Sequence, residues 1–243
     1  MRWAMSWVLI ATCACGRVDF DPVGDSGATT PDGTSGGCGG YDFCDRFEAP
    51  TISGIWTDPG VVLDPTVAHR GSQSVRITTP NLAVGTTFYL QLGESSTFTN
   101  SPDHFWIRAW VRMSALPAAG NRMDVISITE PVALGDFLLI DSVSATLYSQ
   151  YSGSSIMSPQ TLSAATWQCV VLDVSLGANN TIALTGDAGA VMLGPTMTNG
   201  TPGVTAIWFG VGFAGPNVNV AQPALDLWID DVIVHRAAIT CAD

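Results

Sequence analysis

The chain has 243 residues, 47% of them hydrophobic and only 12% charged, enough apolar material for one large domain with a tail. Its nine basic residues stand against 21 acidic ones, a net charge of −12. That balance excludes a nucleic-acid partner, because phosphate binding needs a basic stripe.

The N-terminus reads as an export signal. Met1–Arg2 supplies a minimal charged start, and Trp3 to Ala11 form an apolar run shorter than the roughly 20 residues that span a bilayer. The run enters Thr12-Cys13-Ala14-Cys15-Gly16, which resembles a lipoprotein signal, in which a small residue precedes the cysteine that is lipidated. Cys15, between Ala14 and Gly16, is the preferred site, with Cys13 as the alternative. The Cys15-Gly-Arg-Val-Asp-Phe-Asp-Pro22 segment resembles the start of mature lipoproteins in myxobacteria and their relatives. Residues 1–14 are therefore expected to be a signal peptide. Residues 15–40, rich in Gly, Ser, Thr and Asp, are expected to be a lipidated tether with almost nothing to bury. Arg17, second after Cys15, points to the outer membrane by resemblance to enteric sorting rules.

From residue 41 to 243 short apolar alternations are separated by Gly, Pro, Asn and Asp, and no helical stripe appears. Strands are expected at Asp42–Glu48, Ser72–Thr78, Thr87–Leu92, Phe105–Met113, Met123–Ile128, Phe137–Asp141 and Thr146–Tyr151. Others are expected at Thr166–Val174, Thr181–Leu184, Ala206–Phe213 and Leu225–His235. Gly177 to Asn180 reads as a hairpin turn. In Phe105–Met113 the odd positions Phe105, Ile107, Ala109, Val111 and Met113 form a core face. Trp106, Arg108, Trp110 and Arg112 form the opposite one. Ala206–Phe213 repeats the pattern, setting Trp208, Gly210 and Gly212 against Ile207, Phe209, Val211 and Phe213; the glycines leave a trough beside the tryptophan.

Asp42-Phe-Cys-Asp-Arg-Phe-Glu48, His69-Arg-Gly-Ser-Gln-Ser74, Phe105 to Arg112, Trp167-Gln-Cys169 and Leu227-Trp-Ile-Asp-Asp-Val-Ile-Val234 succeed one another in this order. The set resembles the concanavalin A-like lectin/glucanase superfamily, in the broad laminin-G-like sense. The resemblance implies an all-β jelly-roll sandwich of two antiparallel sheets. A galactose-binding-like jelly roll, which shares the Phe-Glu start and the Asp-Asp-Val finish, is the alternative.

Three candidate sites emerge. Glu48, Asp230 and Asp231 are expected to meet where the terminal strands lie side by side. With carbonyls of the Arg70 to Ser72 turn they would supply the oxygens of a structural Ca²⁺. Trp106, Arg108, Trp110 and Arg112, with Trp208, offer indole faces and guanidinium forks to a glycan, unless loops cross that sheet and bury them. Cys38, Cys44, Cys169 and Cys241 in an exported chain suggest two disulfides; three connectivities are open, and Cys38–Cys241 with Cys44–Cys169 is the expected one. Only three Glu occur, the Glu-x-Asp-x-x-Glu spacing of laminarinase-type glucanases is absent, and no Gly-x-Ser-x-Gly elbow accompanies the three His. The reading is a lipid-anchored envelope protein that binds carbohydrate or another surface component without catalysis. A polysaccharide hydrolase or lyase, or a structural interaction lipoprotein, are the alternatives.

Overall fold

Alternating apolar residues can be buried from one side only, so the chain must stack two sheets face to face. The computed structural model describes residues 39–54, 56, 61–95, 104–129, 135–150, 152–175, 181–194 and 204–242. The expected signal, the lipidation candidates Cys13 and Cys15, most of the tether and Cys38 lie outside the described residues.

Fourteen strands are present among the described residues. They are β1 (Phe43–Asp45), β2 (Val62–Asp64), β3 (Ser74–Thr78), β4 (Phe88–Glu94), β5 (His104–Met113), β6 (Met123–Thr129) and β7 (Gly135–Ile140). They continue as β8 (Ser144–Ser149), β9 (Ser155–Thr161), β10 (Gln168–Ser175), β11 (Thr181–Gly186), β12 (Val191–Leu193), β13 (Ala206–Phe213) and β14 (Asp226–His235). An eight-stranded sheet has the order β12-β11-β10-β5-β14-β3-β2, with β1 also paired to β14; a six-stranded sheet has the order β4-β13-β6-β7-β8-β9. Every pairing is antiparallel. This is the expected jelly-roll β-sandwich.

All eleven expected strands are found within a few residues of their anticipated positions. The three that the pattern missed, β2, β9 and β12, each lie at a sheet edge. Edge strands carry a weak burial rhythm: β9 buries only Ser158 and tolerates Pro159, whose missing N–H is harmless at an edge. β10 and β11 pair directly from Ser175↔Thr181, as the anticipated hairpin requires; its turn residues lie outside the described set.

The core between the sheets takes the predicted faces. Phe105, Ile107, Ala109, Val111 and Met113 from β5 meet Ile207, Phe209, Val211 and Phe213 from β13, all essentially without solvent contact. Trp56 enters this layer edge-on to Phe43 and Phe209 and stacked on Phe47, while its indole N–H donates to Asp45 Oδ2 at 2.6 Å. Two bulges redirect side chains. One in β14, between Asp230 and Ile233, puts Asp231 at φ +47; one in β6, between Asp124 and Ile126, turns both Val125 and Ile126 inward.

The disulfide pairing departs from expectation. Cys169 bonds Cys241, with Cα atoms 5.8 Å apart, so neither Cys38–Cys241 nor Cys44–Cys169 forms. Cys44 is disulfide-bonded as well, but not to Cys169. Cys169 sits on a central strand, and the chain after β14 folds back over the outside of its own sheet to reach it. Gly186 keeps the approach open, since a Cβ there would lie 3.0 Å from Cys241 Sγ. The bond closes a separation of 72 residues. Cys241→Ser should therefore cost about 4 kcal/mol in the chain-entropy picture, read as a lowered urea midpoint with an m-value that is unchanged or raised as the unfolded chain expands.

Candidate functional site

The two outer faces of the sandwich are finished differently. On the eight-stranded sheet, Trp106, Arg108, Trp110 and Arg112 do point outward, but the chain covers them in part. His69 stacks on Trp110 with ring centroids 3.6 Å apart, and Trp167 holds that loop by donating its indole N–H to Ala68 O at 3.0 Å. The C-terminal segment adds Ile239 and Cys241, which pack with Cys44, Val171 and Ile233 beside Trp106 and Trp110. Arg108 is 3% exposed and donates to Thr240 O at 3.5 Å; Arg112 lies over the Trp228 ring at 4.9 Å. Arg108 is thereby buried, while Trp106, Trp110 and Arg112 stay partly exposed with these neighbours packed against them. Trp208 is on the other sheet, so the five residues do not make one ligand face.

Glu48, Asp230 and Asp231 are brought to one turn, as anticipated. Glu48 accepts from Ser72 N at 3.0 Å and Ser72 Oγ at 2.6 Å, across Gly71, where a Cβ would lie 2.1 Å from the carboxylate. Asp230 accepts from the backbone N–H of His69 at 2.8 Å, Arg70 at 3.4 Å and Asp231 at 2.8 Å. Asp231 Oδ2 lies 2.7 Å from His69 Nδ1. Burial pushes the Asp230 carboxyl up to about 7. Ca²⁺ requires converging oxygens, whereas these carboxylates converge on N–H and O–H donors, and Arg46 and Arg70 line the same cavity of about 200 Å³. Among the described residues no three metal-ligating side chains gather. The residues as arranged do not fit the cation; their role here is to fasten the His69–Ser72 turn to the ends of the sheet.

The six-stranded sheet presents a partly exposed face with no described loop or chain end fastened over it. The register sets a row across it: Gly93 opposite Trp208, Trp208 opposite Ser127, Ser127 opposite Phe137, Phe137 opposite Tyr148 and Tyr148 opposite Ser155. A second row runs Tyr89, Gly212, Asp124, Leu139, Thr146 and Met157. Trp208, Phe137 and Tyr148 are partly exposed, Tyr89 is 50% exposed and Met157 61%. Phe137 and Tyr148 have ring centroids 6.2 Å apart. Among the described residues, the hydrogen bonds made by polar side chains in these rows are weak and local: Gln91 Nε2 to Ser127 Oγ at 3.4 Å, and Trp208 Nε1 to Thr129 Oγ1 at 3.3 Å. With a strand spacing near 4.8 Å, Trp208 to Tyr148 spans roughly 14 Å, about the reach of a trisaccharide. Beyond Met157 the face runs into a polar cleft of about 540 Å³ lined by Asn121, Arg122, Asp141, Ser144 and Asn219, among others.

The glycine trough beside Trp208 is real at Gly212. A Cβ there would fall 2.6 Å from Tyr89 Cε1 and 2.9 Å from Asp124 Oδ2, so the bare backbone lets the Tyr89 ring and the Asp124 carboxyl approach from either side. Asp124 is 5% exposed, and burial pushes its carboxyl up to about 7. Tyr89 is raised by burial and by the neighbouring Asp124. Sequence reasoning does not single out Tyr89, Gln91, Asp124, Phe137 or Tyr148. Their signal is the outward half of each alternation, readable only once the strand order is known.

With these geometries in place, comparison with solved structures supplies the class. The fold is similar to that of "Cellulose induced protein, Cip1", at TM-score 0.62 and 17% identity over 82% of this chain and 99% of that one. It is also similar to an alginate lyase of polysaccharide lyase family 7, AlgAT5 (TM-score 0.51, 10% identity, 69% and 80% of the two chains). A third is the binding domain of Botulinum neurotoxin DC in complex with rat synaptotagmin II (TM-score 0.51, 12% identity, 74% of this chain and 42% of that one). No family model and no curated protein matches the sequence. The protein is a jelly-roll β-sandwich.

The carboxylates lead to two expected outcomes. A chelator should leave the melting temperature unchanged; a calcium-dependent rise that disappears in Asp231→Ala would restore the metal reading. For Asp124, burial raises the folded-state value above the unfolded one. Its cost is therefore absent below about pH 4 and grows as pH rises toward 7, up to about 4 kcal/mol. Asp124→Asn should gain stability over the parent at about pH 8.5 but hardly at about pH 4, measured by urea unfolding at both.

Proposed function

We propose that this chain is a non-catalytic glycan-binding protein that holds a sugar chain across the outer face of its six-stranded sheet. The observation that carries the reading is the row Trp208, Phe137 and Tyr148, with Tyr89 beside it, on the face whose side chains are left partly open. Sugars present apolar C–H faces that stack on aromatic rings, and hydroxyls that bond to groups such as Gln91, Ser127 and Thr146. The fold's resemblance to a cellulose-induced protein and to a polysaccharide lyase is in keeping with a carbohydrate partner, as is the resemblance to a toxin's binding domain with a surface partner.

The sequence supports an export route to match. In this proposal Cys15 carries the lipid, residues 15–40 form the tether, and the domain is displayed at the cell envelope, on the outer membrane, where surface glycans lie within reach. Metabolic labelling with a lipid precursor, lost in Cys15→Ala and kept in Cys13→Ala, tests the anchor.

Catalysis has less to work with. A glycosidase of the usual kind needs two carboxyls flanking the bond, and in the two rows of this face Asp124 is the one carboxyl.

Binding to immobilised polysaccharide arrays is the direct test. Trp208→Ala with Tyr148→Ala should weaken retention by about 10-fold or more, the loss of two stacking contacts. Trp110→Ala should lower stability and leave retention intact. Loss of binding in Trp110→Ala at a temperature where it stays folded, with Trp208→Ala/Tyr148→Ala unaffected, would move the site back to the eight-stranded sheet.

A further inference from the structure

Asp124 is an anomaly on the open face. Of the other buried carboxylates, Asp64 takes N–H or O–H donors from Thr66 and Trp228 and pairs with Arg76, and Asp230 takes three backbone N–H groups, while Asp136 lies beside Ser149 with its Oδ1 unpartnered. Asp124 is equally buried at 5% exposure, yet no hydrogen bond or ion pair joins it to a described residue. It does not point into the core. Its register partner Gly212 alternates with the inward Val211 and Phe213, and its Oδ2 lies 2.9 Å from where an outward Cβ of Gly212 would stand. The bulge at Val125 produces this placement by turning two successive apolar residues inward after Asp124.

Its surroundings determine its chemistry. From β13 it meets Gly212, from β7 Leu139, and from β4 Tyr89, the titratable group that couples to it. On its own strand Met123 and Val125 go to the core. Arg122, two residues earlier, is exposed and lines the adjoining cleft with Asp141. Among the described residues no cation neutralises the carboxyl, and burial pushes it up to about 7.

A buried acid left without a partner is a donor and an acceptor waiting for a ligand. Two adjacent hydroxyls of a pyranose offer the complementary acceptor and donor. Resting on the glycan-face reading above, we propose that Asp124 engages its ligand as a neutral carboxylic acid, donating from its O–H and accepting at its carbonyl oxygen to vicinal hydroxyls of an uncharged sugar. The face therefore selects neutral glycans over uronates and releases them as the carboxyl ionises. A ligand covering the face removes more water from Asp124 and favours the neutral form further, so binding takes up protons. A uronate would bring its own charged carboxylate onto a face whose two rows hold no arginine to offset the hydration it loses, and above about pH 7 would add repulsion from the ionised Asp124.

The test uses the full chain against gluco-, manno- and galacto-oligosaccharides and matched uronate oligosaccharides, by calorimetry at about pH 5.5, 7 and 8.5. The neutral ligand should weaken about 10-fold or more between the lowest and highest pH, and uronates should bind more weakly throughout. Asp124→Asn, which cannot ionise, should bind at the highest pH as it does at the lowest. Binding that depends on Trp208 and Tyr148 but is flat with pH in the parent overturns this inference and leaves the glycan face standing. So does a pH slope that persists in Asp124→Asn, loss of binding in that variant at about pH 5.5 while it remains folded, or a preference for uronates. No saccharide bound at any pH overturns both.

Discussion

An apolar layer between two twisted sheets holds this molecule together and constrains everything outside it. β5, β13 and β14 supply most of its centre, and each does so with alternate residues, so the inward set of each strand determines its outward set. Phe105 cannot face Phe209 across the core without sending Trp106 outside, and Phe209 and Phe213 likewise send Trp208 and Gly212 outside. A one-residue slip would exchange every such pair and expose the core, which makes the register stiff. Register shifts relax that rule in several pairings, and two of the bulges matter most here. They sit at Asp231 and beside Asp124, where the chain carries its less ordinary carboxyls.

The outward sets then meet different fates, because later segments of the chain cross one sheet and not the other. β14 is the last strand, and it lies centrally in its sheet, so the segment after it has only the outside of that sheet to cross. Cys241 anchors it to Cys169, and the His69 loop closes the other side through the Trp110 stack and the Asp231 contact. Trp106, Arg108 and Trp110 thereby become packing residues. No described segment is fastened across the six-stranded sheet in this way. Its aromatic row is partly exposed without a described segment packed on it, and that difference in covering is the physical reason for seeking the ligand there rather than over the arginines.

The carboxyls show how environment separates residues of one type. Asp64 is buried, which alone would raise it, but donors from Thr66 and Trp228 with the Arg76 charge outweigh that and hold it at about 2. Asp230 receives backbone donors and still stays at about 7 beside Asp231, and Asp124 reaches about 7 through burial alone. The first two are structural fasteners at a strand and a turn. Asp124 fastens nothing among the described residues, and the cost of keeping it there is the kind associated with function rather than folding.

Alternation and turn residues are local properties, legible along the chain, and they suffice for an all-β sandwich, eleven of its strands, the core faces of β5 and β13, and the meeting of Glu48 with Asp230 and Asp231. Strands such as β2, β9 and β12 escaped because edges have little burial to pattern. A local pattern does not carry which sheet a strand joins or which segment later crosses it. Trp106 and Trp208 read alike along the chain, but β5 lies under the C-terminal segment and β13 lies beside β4 and β6. The Cys169–Cys241 bond depends on that same path of the chain end, and the approach of Tyr89 to Asp124 over Gly212 depends on cross-strand register. These features belong to the folded chain alone, because each is a contact between distant segments whose proximity comes from burying the shared core.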